Sequence, residues 1–497
     1  MTSRYVLAID QGTTSTRAVI FNDGGQCVAS AAREFRQHYP RPGWVEHDPL
    51  EIWRTVTEVV PRALAQARIE PGELAAIGLT NQRETILLWD RATGQPVTPA
   101  IVWQDRRTAD FCRQRHADEP WLFERTGLVL DPYFSATKIQ WLLQNDPQLN
   151  ARAQAGHIAA GTIDTWLLWN LTGGKVHATD FSNASRTLLL NLHIPRWDLD
   201  LCRYFQVPEA ILAAAQPSAG EFGVTASMPF LAAGIPITGV AGDQQAALFG
   251  QGGFHAGAAK CTYGTGAFFL RHTGARPVHS RHRLLSSMAA TTGQSPQYVL
   301  EGSVFIAGAA VQWLRDGLHL IAHSSESETL AAASAPEEPI LLVPGFVGLG
   351  APHWSPEVRG VLFGLTRGTA PPDLARAVLE GVALQVVDLV VAADKDTQEP
   401  LQALRVDGGM AANAWFLQCQ ANLLGKPVEV SLEKEATALG AALLAGLKAG
   451  IWPDLDALGK LAQTSQRFEP TWDDARRGAK LAQWHRAVRA AISFYSS

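Results

Sequence analysis

Residues 7–21, LAIDQGTTSTRAVIF, restrict the fold of this chain more than any other segment. Two apolar runs of strand length flank Asp10, Gly12 and the hydroxyls of Thr13, Thr14 and Ser15, with Arg17 just inside the second run. Gly12 permits a tight reversal, so the spacing predicts a hairpin with its polar groups at the bend. Those hydroxyls and the backbone N–H groups can gather around an anion, Arg17 adds positive charge, and Asp10 suits the magnesium that accompanies nucleotide phosphates. A surface hairpin whose Asp and Thr only build the turn uses the same residues. The choice between them rests on the rest of the chain.

A second segment of the same kind, AAKCTYGTGAFFL, places Tyr263, Gly264, Thr265 and Gly266 between two apolar runs. Two such hairpins, one from each half of a duplicated chain, would grip a nucleotide from both sides; coincidental Gly-Thr turns are the alternative. At 497 residues the chain exceeds what one core supports, so two domains are expected, 1–250 and 251–497, with a cleft between them. The first half alternates strand-like runs (74–80, 85–90) with helical patterns, which indicates α/β architecture. A helix opens at Asp48, with Pro49 at its first position and Glu51 in the first turn, and Pro61 is expected to kink or shorten it. The small-residue run 435–450 reads as a helix built for close packing.

A formal charge of −5 with no basic run argues against nucleic acid as a partner. The five cysteines are scattered and form no metal-binding pattern, which fits a reducing cytoplasm. His272, His279 and His282 match no metal motif and are expected in a solvated loop. No signal segment or membrane span is expected.

Neither the Walker A pattern nor the protein-kinase set occurs, so a phosphotransferase here would have to rely on hairpins. Asp243, in VAGDQQAALFG, ends a predicted strand where a helix begins, a place for a carboxylate at a cleft mouth; it serves as a base, as an N-cap, or as both. Arg83 and Glu84 follow a predicted strand and pair donors with an acceptor, as a polyol or a structural ion pair requires. Trp103 and Phe268 offer apolar faces for substrate carbons or belong to the core.

With these residues in view, the chain resembles the FGGY carbohydrate kinases along nearly its whole length. YFSATKIQWLLQN (133–145) and GVLFGLTRGTAPPDLARAVLE (360–380) resemble the two family signatures, and NQRET, IVWQDRRT, DPYFSATK, PGWVEHDP and AGDQQAALFGQ are similar to the versions of members that phosphorylate glycerol. The resemblance implies two ribonuclease H-like, actin-like domains closing about ATP in a central cleft. It also implies transfer of a phosphoryl group to glycerol, giving sn-glycerol 3-phosphate. Arg83, Glu84, Tyr133, Asp243 and Gln244 would bind glycerol, Trp103 and Phe268 would lie against its carbons, and Asp243 would be the base. Thr13, Thr14, Ser15, Arg17 and Thr265 would meet the phosphates, Gly308, Gln312, Gly409 and Asn413 would form the nucleoside pocket, and Asp10 would hold Mg2+. A homo-oligomer, dimer or tetramer, is the expected assembly. Residues 228–239 lack the glycine-rich loop ending in Thr-Arg with which some relatives bind a sugar bisphosphate, and no His lies between His193 and His255. Neither form of regulation is expected.

Overall fold

The structure, a computed structural model, describes residues 5–335 and 340–496. Strands Tyr5–Gln11 and Ser15–Phe21 pair antiparallel with Asp10 opposite Arg17. The Gly12 N–H donates to the Ser15 carbonyl at 2.9 Å, closing the hairpin at its polar bend. Cys27–Glu34 adds an antiparallel edge, while Leu74–Asn81 and Ile237–Gly242 extend the other side in parallel, making five strands.

The second half repeats this plan. Ala259–Tyr263 and Ala267–Gly274 form the hairpin, Tyr298–Val304 continues it antiparallel, and Leu404–Asp407 and Val428–Ser431 follow in parallel. Strand order and sense match the first sheet, and two edge strands, Leu285–Met288 and Thr464–Phe468, enlarge it to seven. The weak likeness between the two hairpins is thus one part of a duplicated sheet.

Strand Tyr5–Gln11 reads as a continuous apolar run because both faces of its sheet are covered. Leu7 and Ile9 pack toward helix Pro49–Ala67, and Val6 and Ala8 pack toward helix Ala436–Lys448. That second helix comes from the far end of the chain, so a cut near residue 250 separates the two sheets but not their covering helices. Its small residues permit the approach: side chains on Gly78 and Gly440 would run into the backbone carbonyls of Ala441 and Ala246. Helix Pro49–Ala67 continues six residues beyond Pro61 and ends at Arg68 in a left-handed conformation, so Pro61 does not stop it. His272, expected in solvent, is buried in strand Ala267–Gly274, whose residues 269–272 are buried on both faces of the sheet. Among the described residues no three His, Cys, Asp or Glu side chains converge as a metal site, and no helix is long and apolar enough to cross a membrane.

Candidate active site

Arg83 and Glu84 sit in the turn after strand Leu74–Asn81. Glu84 adopts a left-handed backbone, φ 62°, and the Thr85 N–H reaches back to the Arg83 carbonyl at 2.7 Å. Such a conformation is strained for a non-glycine residue, and it aims neighbouring side chains in different directions. Asp243 opens helix Asp243–Gly250 directly after strand Ile237–Gly242. Gly242 occupies the capping position, so Asp243 is the first helical residue rather than the cap, and its Oδ1 accepts from the Gln244 N–H at 2.7 Å.

These residues meet in one buried charge network. Arg83 Nε lies 3.3 Å from Asp243 Oδ1, and Arg83 Nη1 lies 2.8 Å from Glu301 Oε2. Arg186 Nε is 2.5 Å from Glu84 Oε1, and Arg186 Nη1 is 3.0 Å from Glu301 Oε1. The side chains of Glu84 and Glu301 are 2% and 4% exposed, whereas that of Asp243 is 28% exposed, which makes Asp243 the carboxylate of this set that solvent and substrate reach. Burial pushes the Asp243 carboxyl above the ordinary range against the pull of Arg83 and Lys260. Glu301 is more deeply buried, yet Arg186, Arg83 and the Ser287 hydroxyl bring it down to about 2, so it is an anion at every working pH. Burial raises Glu84 despite its two arginines.

An aromatic wall stands beside the charges. The Trp103 ring lies 5.5 Å from that of Tyr133 and 6.5 Å from that of Phe268, and Arg186 sits 5.3 Å over the Tyr133 ring. Burial raises the Tyr133 hydroxyl above its usual range, so it stays protonated and can donate. Trp103 Nε1 donates to Thr13 Oγ1 at 2.9 Å, so one indole touches the first hairpin and packs toward the second. Gln244 turns its amide to the Lys260 ammonium, which also donates to Thr262 Oγ1 at 2.9 Å.

Around the hairpins, Thr14, Gly264 and Thr265 are exposed, and Thr13 and Ser15 partly so. The Gly308 N–H donates to the Gly264 carbonyl at 3.0 Å, and the Ala309 N–H donates to that of Thr265 at 3.1 Å. A Cβ on Gly308 would stand 2.6 Å from the Gly264 carbonyl oxygen. Gly408, at φ 89°, would meet the Tyr263 carbonyl in the same way, so both glycines are needed for backbone to approach the second hairpin. Arg17 is engaged by Glu435. Asp10 is raised to about 7, first by burial and then by the charge of Asp243. Gly409 has open space where a side chain would stand, and Gln312 is exposed. Asn413 caps helix Ala414–Leu424 through the Phe416 N–H at 2.8 Å, and its amide reaches Ser327 Oγ at 3.3 Å. Among the described residues, Gln312, Gly409 and Asn413 are not hydrogen-bonded to one another.

Sequence inspection missed Arg186, Glu301 and Lys260. Each is a charge inside a run that folds as buried structure, and such a charge has to be paired. That signal was present in SNASRTLLL and YVLEGSVF.

Two matching sheets with a polar hairpin each, a carboxylate at the cleft and a clamp of opposite charges define the class: an α/β phosphotransferase of the actin-like ATPase fold. Models of the FGGY family of carbohydrate kinases match residues 5–250 with their N-terminal domain and residues 259–449 with their C-terminal domain. The chain belongs to the FGGY family of carbohydrate kinases. It is 53% identical over 493 residues to a glycerol kinase of Chelativorans sp., covering 98% of each chain. It is 48% identical to glycerol kinase 2 of Thermotoga maritima, covering 99% of each. Among solved structures, the glycerol kinase of Plasmodium falciparum with ADP superposes with a TM-score of 0.93 at 36% identity, covering 98% of each chain. A gluconate kinase of Lactobacillus acidophilus, TM-score 0.89 at 22% identity over 99% of each chain, shares the fold.

Proposed function

We infer that this protein transfers the γ-phosphoryl group of ATP to a terminal hydroxyl of glycerol, giving sn-glycerol 3-phosphate and ADP. The observation that carries this reading is the placement of Asp243: the cluster's solvent-reaching carboxylate, 3.3 Å from Arg83 and within the electrostatic field of Asp10. Glycerol would lie between the charged clamp and the aromatic wall. Arg83 and the Tyr133 hydroxyl donate to its oxygens, Glu84 and Asp243 accept from its hydroxyls, and Trp103 and Phe268 cover its carbons. As the new O–P bond forms and the bond to the β-phosphate oxygen breaks, Asp243 takes the hydroxyl proton. Burial raises its pKa above the ordinary carboxylate range, which strengthens it as a base.

Thr13, Thr14 and Ser15 on one side and Thr265 on the other would meet the phosphates, and Gly308, Gln312, Gly409 and Asn413 would border the nucleoside. The Asp10 site fits magnesium. Its carboxyl is held up to about 7 beside a second carboxylate, while the nearby cation, Arg17, is already engaged by Glu435, so the spot carries surplus negative charge. A magnesium ion keeps several waters and phosphate oxygens and needs only one or two protein carboxylates. When bound, it would supply charge neutralisation at the phosphates, with Asp10 as its holder through water.

The test is ADP release from purified protein with ATP and magnesium, with glycerol, xylulose, ribulose, gluconate or erythritol as acceptor. Strong stimulation by glycerol alone is expected. Stimulation by another compound instead would move the specificity within the family.

A further inference from the structure

Glu301 and Arg186 remain without a task once Arg83, Glu84, Tyr133 and Asp243 are assigned to the acceptor. Glu301 comes from strand Tyr298–Val304 of the second sheet, whereas Arg83, Glu84 and Arg186 all belong to the first half of the chain. A buried carboxylate inside a strand is costly unless fully paired. Here the pairing falls on the clamp itself, with Oε2 on Arg83 Nη1 at 2.8 Å and Oε1 on Arg186 Nη1 at 3.0 Å. A guanidinium is a rigid planar fork, so fixing Nη1 on Glu301, with Gln245 Oε1 at 3.1 Å on the same nitrogen, decides where Nε points. That nitrogen stands 3.3 Å from Asp243 Oδ1, within ion-pair distance. Arg186 Nη1 lies 3.0 Å from the same carboxylate as a close opposite charge without a hydrogen bond, and Arg186 Nε donates to Glu84 Oε1.

We propose that Glu301 is a positioning residue through which the second domain completes the acceptor clamp: it orients Arg83 toward Asp243, orients Glu84 by way of Arg186, and offsets the charge of Arg83 at the base. The proposal rests on the glycerol reading above. It makes the acceptor site dependent on docking of the two domains, because neither half alone carries both the guanidiniums and the carboxylate that aligns them.

The charged groups facing Asp243 are Arg83 from the turn, Lys260 from strand Ala259–Tyr263 and Asp10 from strand Tyr5–Gln11, with the Gln244 N–H on its own helix. Glu301→Gln keeps shape and acceptor oxygen but removes the charge, leaving Lys260 and Asp10 as they are. Arg83 then attracts the Asp243 carboxylate more strongly, so Asp243 protonates at lower pH and the acidic limb of kcat moves down.

The experiment is steady-state kinetics of full-length parent, Glu301→Gln and Ser287→Ala against glycerol and against ATP, from about pH 5 to 9. For Glu301→Gln we expect the glycerol KM to rise about tenfold, the ATP KM to change less than about twofold, and the acidic limb to move down by about half a unit or more. Ser287→Ala removes a donor to Glu301 together with the acceptor of Gln245 Nε2 at 3.2 Å, so it loosens both anchors of Arg83 Nη1 and should raise the glycerol KM alone, by a smaller factor. It decides the matter if Glu301→Gln does not fold. A folded Glu301→Gln with parental glycerol KM and pH profile, or with both KM values raised alike and a lower Tm, overturns the proposal. A parent whose ADP release ignores glycerol overturns the underlying reading instead, and the two failures are told apart by the parent alone.

Discussion

Replacing Asp243 by Asn tests the chemistry most directly, because the structure separates what that change removes from what it keeps. The Asn side-chain oxygen still accepts from the Gln244 N–H, and the helix start is unaltered. The remaining network is balanced, since Arg83 and Arg186 face Glu84 and Glu301, two cations against two anions, and Lys260, the other cation near Asp243, keeps the charge of Asp407. No uncompensated buried charge is created, and Tm should stay within a few degrees of the parent, about 1 kcal/mol or less. What is lost is the proton acceptor. General-base catalysis contributes on the order of a hundredfold or more, about 2.7 kcal/mol or more of barrier. The assay is coupled ADP release at saturating glycerol and ATP, with glycerol affinity read separately by titration calorimetry. Turnover lowered by about a hundredfold or more with glycerol affinity within a few-fold supports the role of base. Turnover within about threefold of the parent in a folded variant would refute it.

Asp10→Asn should divide stability from activity. Because the folded pKa of Asp10 is raised to about 7, its contribution is present below the ordinary carboxylate range and is lost as pH rises through about 7. The Asn variant, free of that cost, should therefore melt higher than the parent at pH 8 when no nucleotide is bound, with no comparable gain at pH 5, while losing magnesium-dependent turnover. Equal melting of variant and parent at pH 8 would show that the Asp10 carboxylate is already compensated. Gly440→Ala forces a methyl into the Ala246 carbonyl and should lower stability by about 1–3 kcal/mol or more, read as Tm, because neither helix backbone can yield easily. Trp103→Phe keeps an apolar face but loses the hydrogen bond to Thr13, and should raise the KM for glycerol and for ATP together, since the indole touches both the wall and the first hairpin. A rise in the glycerol KM alone would confine Trp103 to the acceptor.

The sequence was most legible where function needs a local pattern. Asp10, Gly12 and the three hydroxyls had to lie between apolar runs to form a hairpin, so their spacing announced the bend, and the signatures at 133–145 and 360–380 carried the family. Arg83 and Glu84 were visible because they sit side by side in one turn. Glu301 and Arg186 were not singled out because no charge near them in the chain explains them: their charged partners lie more than 100 residues away, as with Arg186 and Glu84, 102 positions apart. Asp243 was expected to end a strand and stands one residue beyond it, and whether it capped the helix or opened it depended on a backbone conformation at Gly242 that composition does not specify.

From the sequence alone came the local grammar of this protein: hairpins, strand runs, the helix opening at Asp48, and the residue types that phosphoryl transfer to a polyol requires. Those follow from short-range sterics and hydrogen bonding, which act over a few neighbouring residues. Tertiary structure decided which sheet the 436–448 helix covers, which carboxylate remains open to the cleft, and which buried anion aligns Arg83. Those outcomes depend on burial and on charges brought together from distant segments, and desolvation and Coulomb interactions take effect only once the chain has closed around them.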